Sequence, residues 1–246
     1  MEKADLGHHI SHQYNQELED VRNRVLQMGG IVEQQLGDAV QALTTMDTAL
    51  AEVVVTNDYK VNKLEVSIDE ECTHILARRQ PAAGDLRLLM AIVKTITDLE
   101  RIGDEAERVG RMALHFANAD SKDTKPLVGI GHLGEHVRHM LHDALDAFAR
   151  MDPEAAISIS KDDLKADQEY ENILRQLMTY MMEDPRSIPR VVNVMWAARA
   201  LERIGDRARN ICEYVIYLVR GKDVRHISLD QVEKEARDPN RTKGNS

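Results

Sequence analysis

The chain has 246 residues, a formal net charge of −10, 43% hydrophobic residues and only 4% aromatics. That length suits one large domain or two ordinary ones, and the acidic balance argues against nucleic acid as a partner, because such binders need a basic face to displace counterions. No stretch approaches the ~20 apolar residues of a membrane-spanning helix, and the opening "MEKADLGHHISHQYNQE" lacks the basic flank and apolar run of a signal peptide, so the expected compartment is the cytoplasm.

Along the chain, His8, His9 and His12 are expected ahead of the first helix. Met28, Val32, Leu36, Ala39, Leu43 and Met46 then step at threes and fours, the period of a helix with one apolar face. A second run follows through Leu50, Val54, Asn57, Val61, Leu64, Ile68, Cys72 and Ile75, and it absorbs the strand-like "VVV" at 53–55. "RQPAAGDLR" at 79–87 punctuates the pattern. A third run, from about 84 to 118, carries Leu89, Ile92, Ile96, Leu99, Ala106, Val109 and Ala113. Eleven Met and few aromatics predict an aliphatic, adaptable interior. Cys72 and Cys212 fall on apolar stripes, without a CxxC, and read as buried, inert thiols of a reducing compartment.

The polar, unpatterned "NADSKDTKP" at 118–126 reads as a linker, after which the plan begins again. "DAVQALTTMDTALA" at 38–51 aligns with "DALDAFARMDPEAA" at 143–156, an offset of 105, and "LERIGD" at 99–104 returns at 201–206, an offset of 102. Repetition on this scale means duplication of a whole three-helix unit. The predicted fold is all-α, with six long helices in two tandem three-helix bundles related by a pseudo-twofold, at 10–118 and 126–221, and a polar tail at 222–246.

The repeated phrase carries the chemistry. Residues four apart share a helix face, so Glu100 stands beside Asp104, and Glu202 beside Asp206. Salt bridging alone would account for such acids: Asp104 can reach Arg108, Arg101 can reach Glu105, and Arg199 can reach Glu202. Two features favour a site. A glycine, Gly103 or Gly205, separates the acids each time, at about 1 kcal/mol of helix propensity, and leaves room for another helix or an ion. The phrase also holds the same place in both halves. Asp163 and Asp167 on the middle helix of the second half can add carboxylates, and the offset maps them onto Asp58 and Asn62. Such a set suits Mg, Mn, Fe or Zn. The neutral Asn62 makes the first half the poorer ligand set. A ferritin-like di-iron enzyme would need two Glu-x-x-His motifs; "ECTH" at 71–74 supplies one, while "QLMT" at 176–179 supplies none. His132, His136, His139 and His142 run beside an apolar stripe and are expected to flank the core at the surface. Nucleophile and phosphate-loop motifs are missing, so nothing in the sequence asks for an enzyme.

"DLERIGDEAERV" (98–109), "ALERIGDRARNI" (200–211) and "RRQPAAGDLR" (78–87) together resemble the PhoU family over about residues 10–220. The resemblance implies metal ions, iron and zinc among them, held in multinuclear clusters at Glu100, Asp104, Glu202 and Asp206. It implies a cytoplasmic, usually dimeric, negative regulator of the phosphate-starvation response. Such a protein links the ATPase subunit of the phosphate ABC transporter to the sensor histidine kinase PhoR, and reaches membrane complexes only through those partners. This chain departs from the pattern at Asn62, where relatives often have an acid. Its halves also differ, Asp98 being matched by Ala200 and Glu107 by Arg209, so the two sites are not expected to be equal. A carboxylate-bridged di-metal enzyme and a metal-free helical scaffold are the alternatives.

Overall fold

The structure, a computed structural model, describes residues 3–117, 127, 129–225 and 231, with side chains from residue 12 onward. Seven α-helices account for nearly all of them: α1 (Lys3–Thr45), α2 (Thr48–Asn57), α3 (Tyr59–Arg79), α4 (Ala83–Ala117), α5 (Ile130–Arg150), α6 (Pro153–Glu183) and α7 (Ile188–Arg220). Among the described residues there is no strand, and "VVV" lies within α2. Two details differ from the sequence reading. The first helix begins at Lys3, so His8, His9 and His12 lie inside it. The second long helix of the first half is divided at Asp58, whose backbone stays right-handed helical at φ −56°, ψ −34°. Its counterpart α6 runs unbroken past Asp163. The linker expected at 118–126 lies outside the described residues, as does most of the tail expected from 222.

The turn between the first two helices is built twice by the same local chemistry. Met46 and Met151, 105 residues apart, both adopt the left-handed region, with φ 57° and 53°. The next residue caps the following helix each time. Asp47 accepts a hydrogen bond from the Leu50 amide at 3.0 Å, and Asp152 accepts from the amides of Glu154 and Ala155 at 3.0 and 3.1 Å. Each cap satisfies amides that the first helical turn leaves without partners. Pro153 then starts α6 with its φ already helical.

One continuous apolar core runs through both halves, from Leu18 to Val224, and both Phe of the chain, Phe116 and Phe148, are buried in it. Within each half the third helix packs on the first and middle ones: α4 on α1, α2 and α3, and α7 on α5 and α6. Between halves, α4 meets α7 and α1 meets α5, so each of these helices touches its own repeat mate, as a pseudo-twofold requires. The α1–α5 contact shows the symmetry in detail. A Cβ at Gly29 would fall 2.6 Å from Leu145 Cδ2, and one at Gly134 would fall 2.6 Å from Val40 Cγ1. Gly29 and Gly134 are repeat mates, as are Val40 and Leu145. Each glycine thus receives the branched side chain of the opposite helix. No described helix is long and apolar enough to cross a membrane.

Candidate functional site

In the first half, α4 presents Glu100, Asp104 and Glu107 along one face, since steps of four and three residues keep side chains on the same side. Asp58, at the break between α2 and α3, lies against that helix at Gly103. One carboxylate oxygen from each of Asp58, Asp104 and Glu107 lies within 4.8 Å of the others. Gly103 permits the approach: a Cβ there would stand 3.1 Å from Asp58 Oδ1 and 3.4 Å from Gln35 Oε1. Asp58 is only 6% exposed, and amides rather than cations hold it. Gln35 Nε2 donates to Oδ1 at 2.9 Å and Asn62 Nδ2 donates to Oδ2 at 3.2 Å. Gln35 itself is 7% exposed, and its Oε1 is buried without a hydrogen-bond partner beside the same glycine.

Burial, reinforced by neighbouring acids, disfavours the charged forms here. The Glu100 carboxyl is raised above its ordinary value by burial, then by Asp104, Glu65 and Asp58. Asp104 is raised by burial and then by Asp58, with Arg108 and Arg207 pulling the other way. Arg108, expected to pair with Asp104, instead donates to Glu105 at 2.8 Å. The cluster combines one buried carboxylate, Asp58, with the half-buried Glu107 and the exposed Asp104, beside a buried unpaired carbonyl oxygen and a glycine. Hard or borderline cations prefer such oxygen donors, and a bound cation would relieve both the like-charge repulsion and the unpaired acceptor.

The second half places the matching residues in the same way and joins them differently. Asp163, 2% exposed, brings Oδ1 within 3.5 Å of where a Cβ of Gly205 would stand, repeating Asp58 against Gly103. Met140 occupies the position of Gln35, its Cε 3.9 Å from that same point. The Arg209 guanidinium, at the position of Glu107, donates to Asp163 through Nη1 and lies 2.9 Å from Asp206 Oδ1 through Nη2. Glu202 pairs with Arg199 at 2.5 Å, as the salt-bridge reading expected. Burial raises Asp163 while Arg209 lowers it, and the net shift is upward. Asp167 and Glu202 are both raised, by burial first and by Asp206 second.

Of the sequence candidates, Asp58 and Asp104 converge, Glu100 stands one turn away on the same face, and Asp163, Asp206 and Asp167 gather around an arginine. Sequence reasoning noted Glu107 only as a difference between halves. Extending the 100/104 stripe by three residues would have found it. Gln35 carried no signal, because its repeat mate is a methionine. Glu71 of "ECTH" is ion-paired with Arg24 on α1, and His74 is exposed. Among the histidines, His132 and His142 are exposed and bond to Glu169 and Glu33 at 3.1 Å each. His136 departs from the surface expectation: only 14% exposed, it bonds to Glu169 at 3.0 Å and Asp162 at 3.1 Å. Cys72 and Cys212 are free and buried, and burial pushes the Cys72 thiol up to about 12.

Comparison with known proteins places this arrangement in a family. The PhoU domain model matches residues 25–113 and 130–215. The chain belongs to the PhoU family. It is 54% identical over 233 residues to the phosphate-specific transport system accessory protein PhoU homolog of Pseudomonas aeruginosa, covering 95% of this chain and 96% of that one. It is 53% identical over 235 residues to the PhoU accessory protein of Escherichia coli, covering 95% and 96%. The crystal structure of PhoU from Pseudomonas aeruginosa superposes with a TM-score of 0.82 at 54% identity, covering 85% of this chain and 100% of that one. The phosphate transport system regulatory protein PhoU from Streptococcus pneumoniae superposes at 0.79 with 29% identity, covering 86% and 99%. The long helices and their bundled arrangement are therefore shared with PhoU structures.

Proposed function

We propose that this chain is a non-enzymatic, cytoplasmic adaptor of phosphate transport that holds a divalent or ferric ion at Asp58, Asp104 and Glu107. The family membership supports the phosphate-transport role, since its relatives are named as accessory and regulatory proteins of that system. The observation carrying the metal reading is the convergence of three carboxylates on one another, Asp58 among them lying against Gly103 beside the unpaired Gln35 carbonyl. Iron, zinc, manganese or magnesium would supply positive charge there, with Glu100 one turn away as a further donor. Occupancy would fix α4 against the α2–α3 break and present one surface geometry to partners. Those partners are the ATPase subunit of the phosphate ABC transporter and the sensor kinase PhoR, with the chain acting as a homodimeric negative regulator of the starvation response.

Elemental analysis of untagged protein, purified without chelator, tests the site. Asp104→Asn is expected to lose most of the metal carried by the parent chain while keeping its helical circular dichroism. Equal metal in both proteins would remove Asp104 from the site. Co-purification of the ATPase subunit and the kinase with the parent chain, and weaker recovery with Asp104→Asn, tests the adaptor role separately.

A further inference from the structure

The two halves write the same ion pair in opposite order. In the first, Glu107 faces Asp58 and Asp104, and Arg111, one turn on, pairs with it from the outside. In the second, Arg209 stands beside the aspartates and Glu213 follows one turn on, with Arg209 Nε 4.0 Å from Glu213 Oε1. The offset of 102 maps Glu107 onto Arg209 and Arg111 onto Glu213. The reversal changes the charge beside the buried aspartate by two, which outweighs the single carboxylate that Asp167 adds where the first half has Asn62.

We infer that Arg209 is a resident cation that takes the place of a bound ion in the second half, so that divalent-cation binding by this chain is confined to the first half. The inference rests on the metal reading of the first half. The guanidinium has the two properties the position needs. It is permanently charged, and its fork bonds Asp163 and Asp206 at once, which a hydrated ion would otherwise bridge. A divalent ion and an arginine could not share that space, because two cations at ligand distance repel each other and the guanidinium already occupies both carboxylates. The Gln35 position points the same way. There the first half offers a buried, unpaired carbonyl oxygen and the second the Met140 methyl group, which is no donor for a hard cation; the second half's own buried unpaired oxygen, Glu202 Oε2, belongs to a carboxylate already paired with Arg199. One half of the molecule therefore responds to metal and the other is locked irrespective of it.

Mn²⁺ binding to the full chain, followed by electron paramagnetic resonance, tests this. The parent chain should lose bound Mn²⁺ with Asp104→Asn and lose none with Asp206→Asn. Arg209→Gln should about double the Mn²⁺ bound per chain, and adding Asp206→Asn should abolish the gain. Arg209→Glu/Glu213→Arg, which writes the second half in the first half's order at unchanged net charge, should gain Mn²⁺ in the same way, and covers the case in which Arg209→Gln fails to fold. Loss of bound Mn²⁺ on Asp206→Asn in the parent chain, or no gain in a folded Arg209 variant, overturns the inference. A parent chain that binds no Mn²⁺ defeats the first-half reading instead, and the gain in the Arg209 variants still decides the role of Arg209.

Discussion

Glu213 shows how much a single buried charge can weigh in this molecule. Burial lifts its carboxyl from 4.5 to about 7, against the pull of Arg209 and Arg225. A group whose folded pKa is raised favours the folded state while it holds its proton. The chain should accordingly lose stability as pH rises from about 4.5 through about 7. Glu213→Gln removes that dependence. It should match the parent below about pH 4.5 and exceed it by about 3 kcal/mol at pH 8, since each tenfold difference in proton affinity between the folded and unfolded chain is worth ~1.4 kcal/mol. Urea denaturation at pH 5 and pH 8 measures the difference, and a constant gap at both would remove Glu213 as its source. The same scale shows what could be read in advance at the candidate site. Glu100, Asp104, Glu202 and Asp206 were legible because a six-residue phrase is repeated and four-residue spacing fixes a shared helix face. Gln35 and the convergence of Glu107 with Asp58 were not, because they join residues from different helices.

Helix by helix, the repeated signals act locally and their mates act across the molecule. The aspartate caps at Asp47 and Asp152 are readable as N-terminal signals, and each contributes about 1 kcal/mol by satisfying first-turn amides. Close approach of α1 and α5 is different in kind. Gly134 accepts Val40 at a distance no Cβ could tolerate, so Gly134→Ala should destabilise by about 1–3 kcal/mol through displacement of both helices. Gly30, on the same helix as Gly29, has no atom within 4 Å of its Cβ position. Gly30→Ala should therefore stabilise by up to ~1 kcal/mol through helix propensity. Thermal denaturation of the two variants gives opposite signs if the close contact matters, and equal signs if propensity alone governs both. The division of the middle helix at Asp58 was not legible. A polar residue at that period also occurs in α6, which continues unbroken past Asp163.

For the molecule as a whole, charge crosses the pseudo-twofold in one direction. On α4, Asp98 and Glu105 are 3% and 4% exposed. Arg207 and Arg203 of α7 meet them at 3.0 and 2.7 Å, and the Tyr214 hydroxyl donates to Asp98 at 2.7 Å. Removing one partner of such a buried pair leaves a charge without compensation. Arg207→Met should cost about 3 kcal/mol in urea denaturation, and Asp98→Asn added to it should recover part of the loss. An unchanged midpoint in the single variant would show that the pair contributes nothing net. The sequence by itself determined the helical class, the duplication of a three-helix unit and the repeated acids, because helix period and repeat offset act along the chain. Only the tertiary structure decided that Asp58, Asp104 and Glu107 converge while Asp163 and Asp206 close on Arg209. Neighbours four residues apart are set by the rise and turn of one helix, whereas contacts between helices are set by which side chains and glycines let their axes approach.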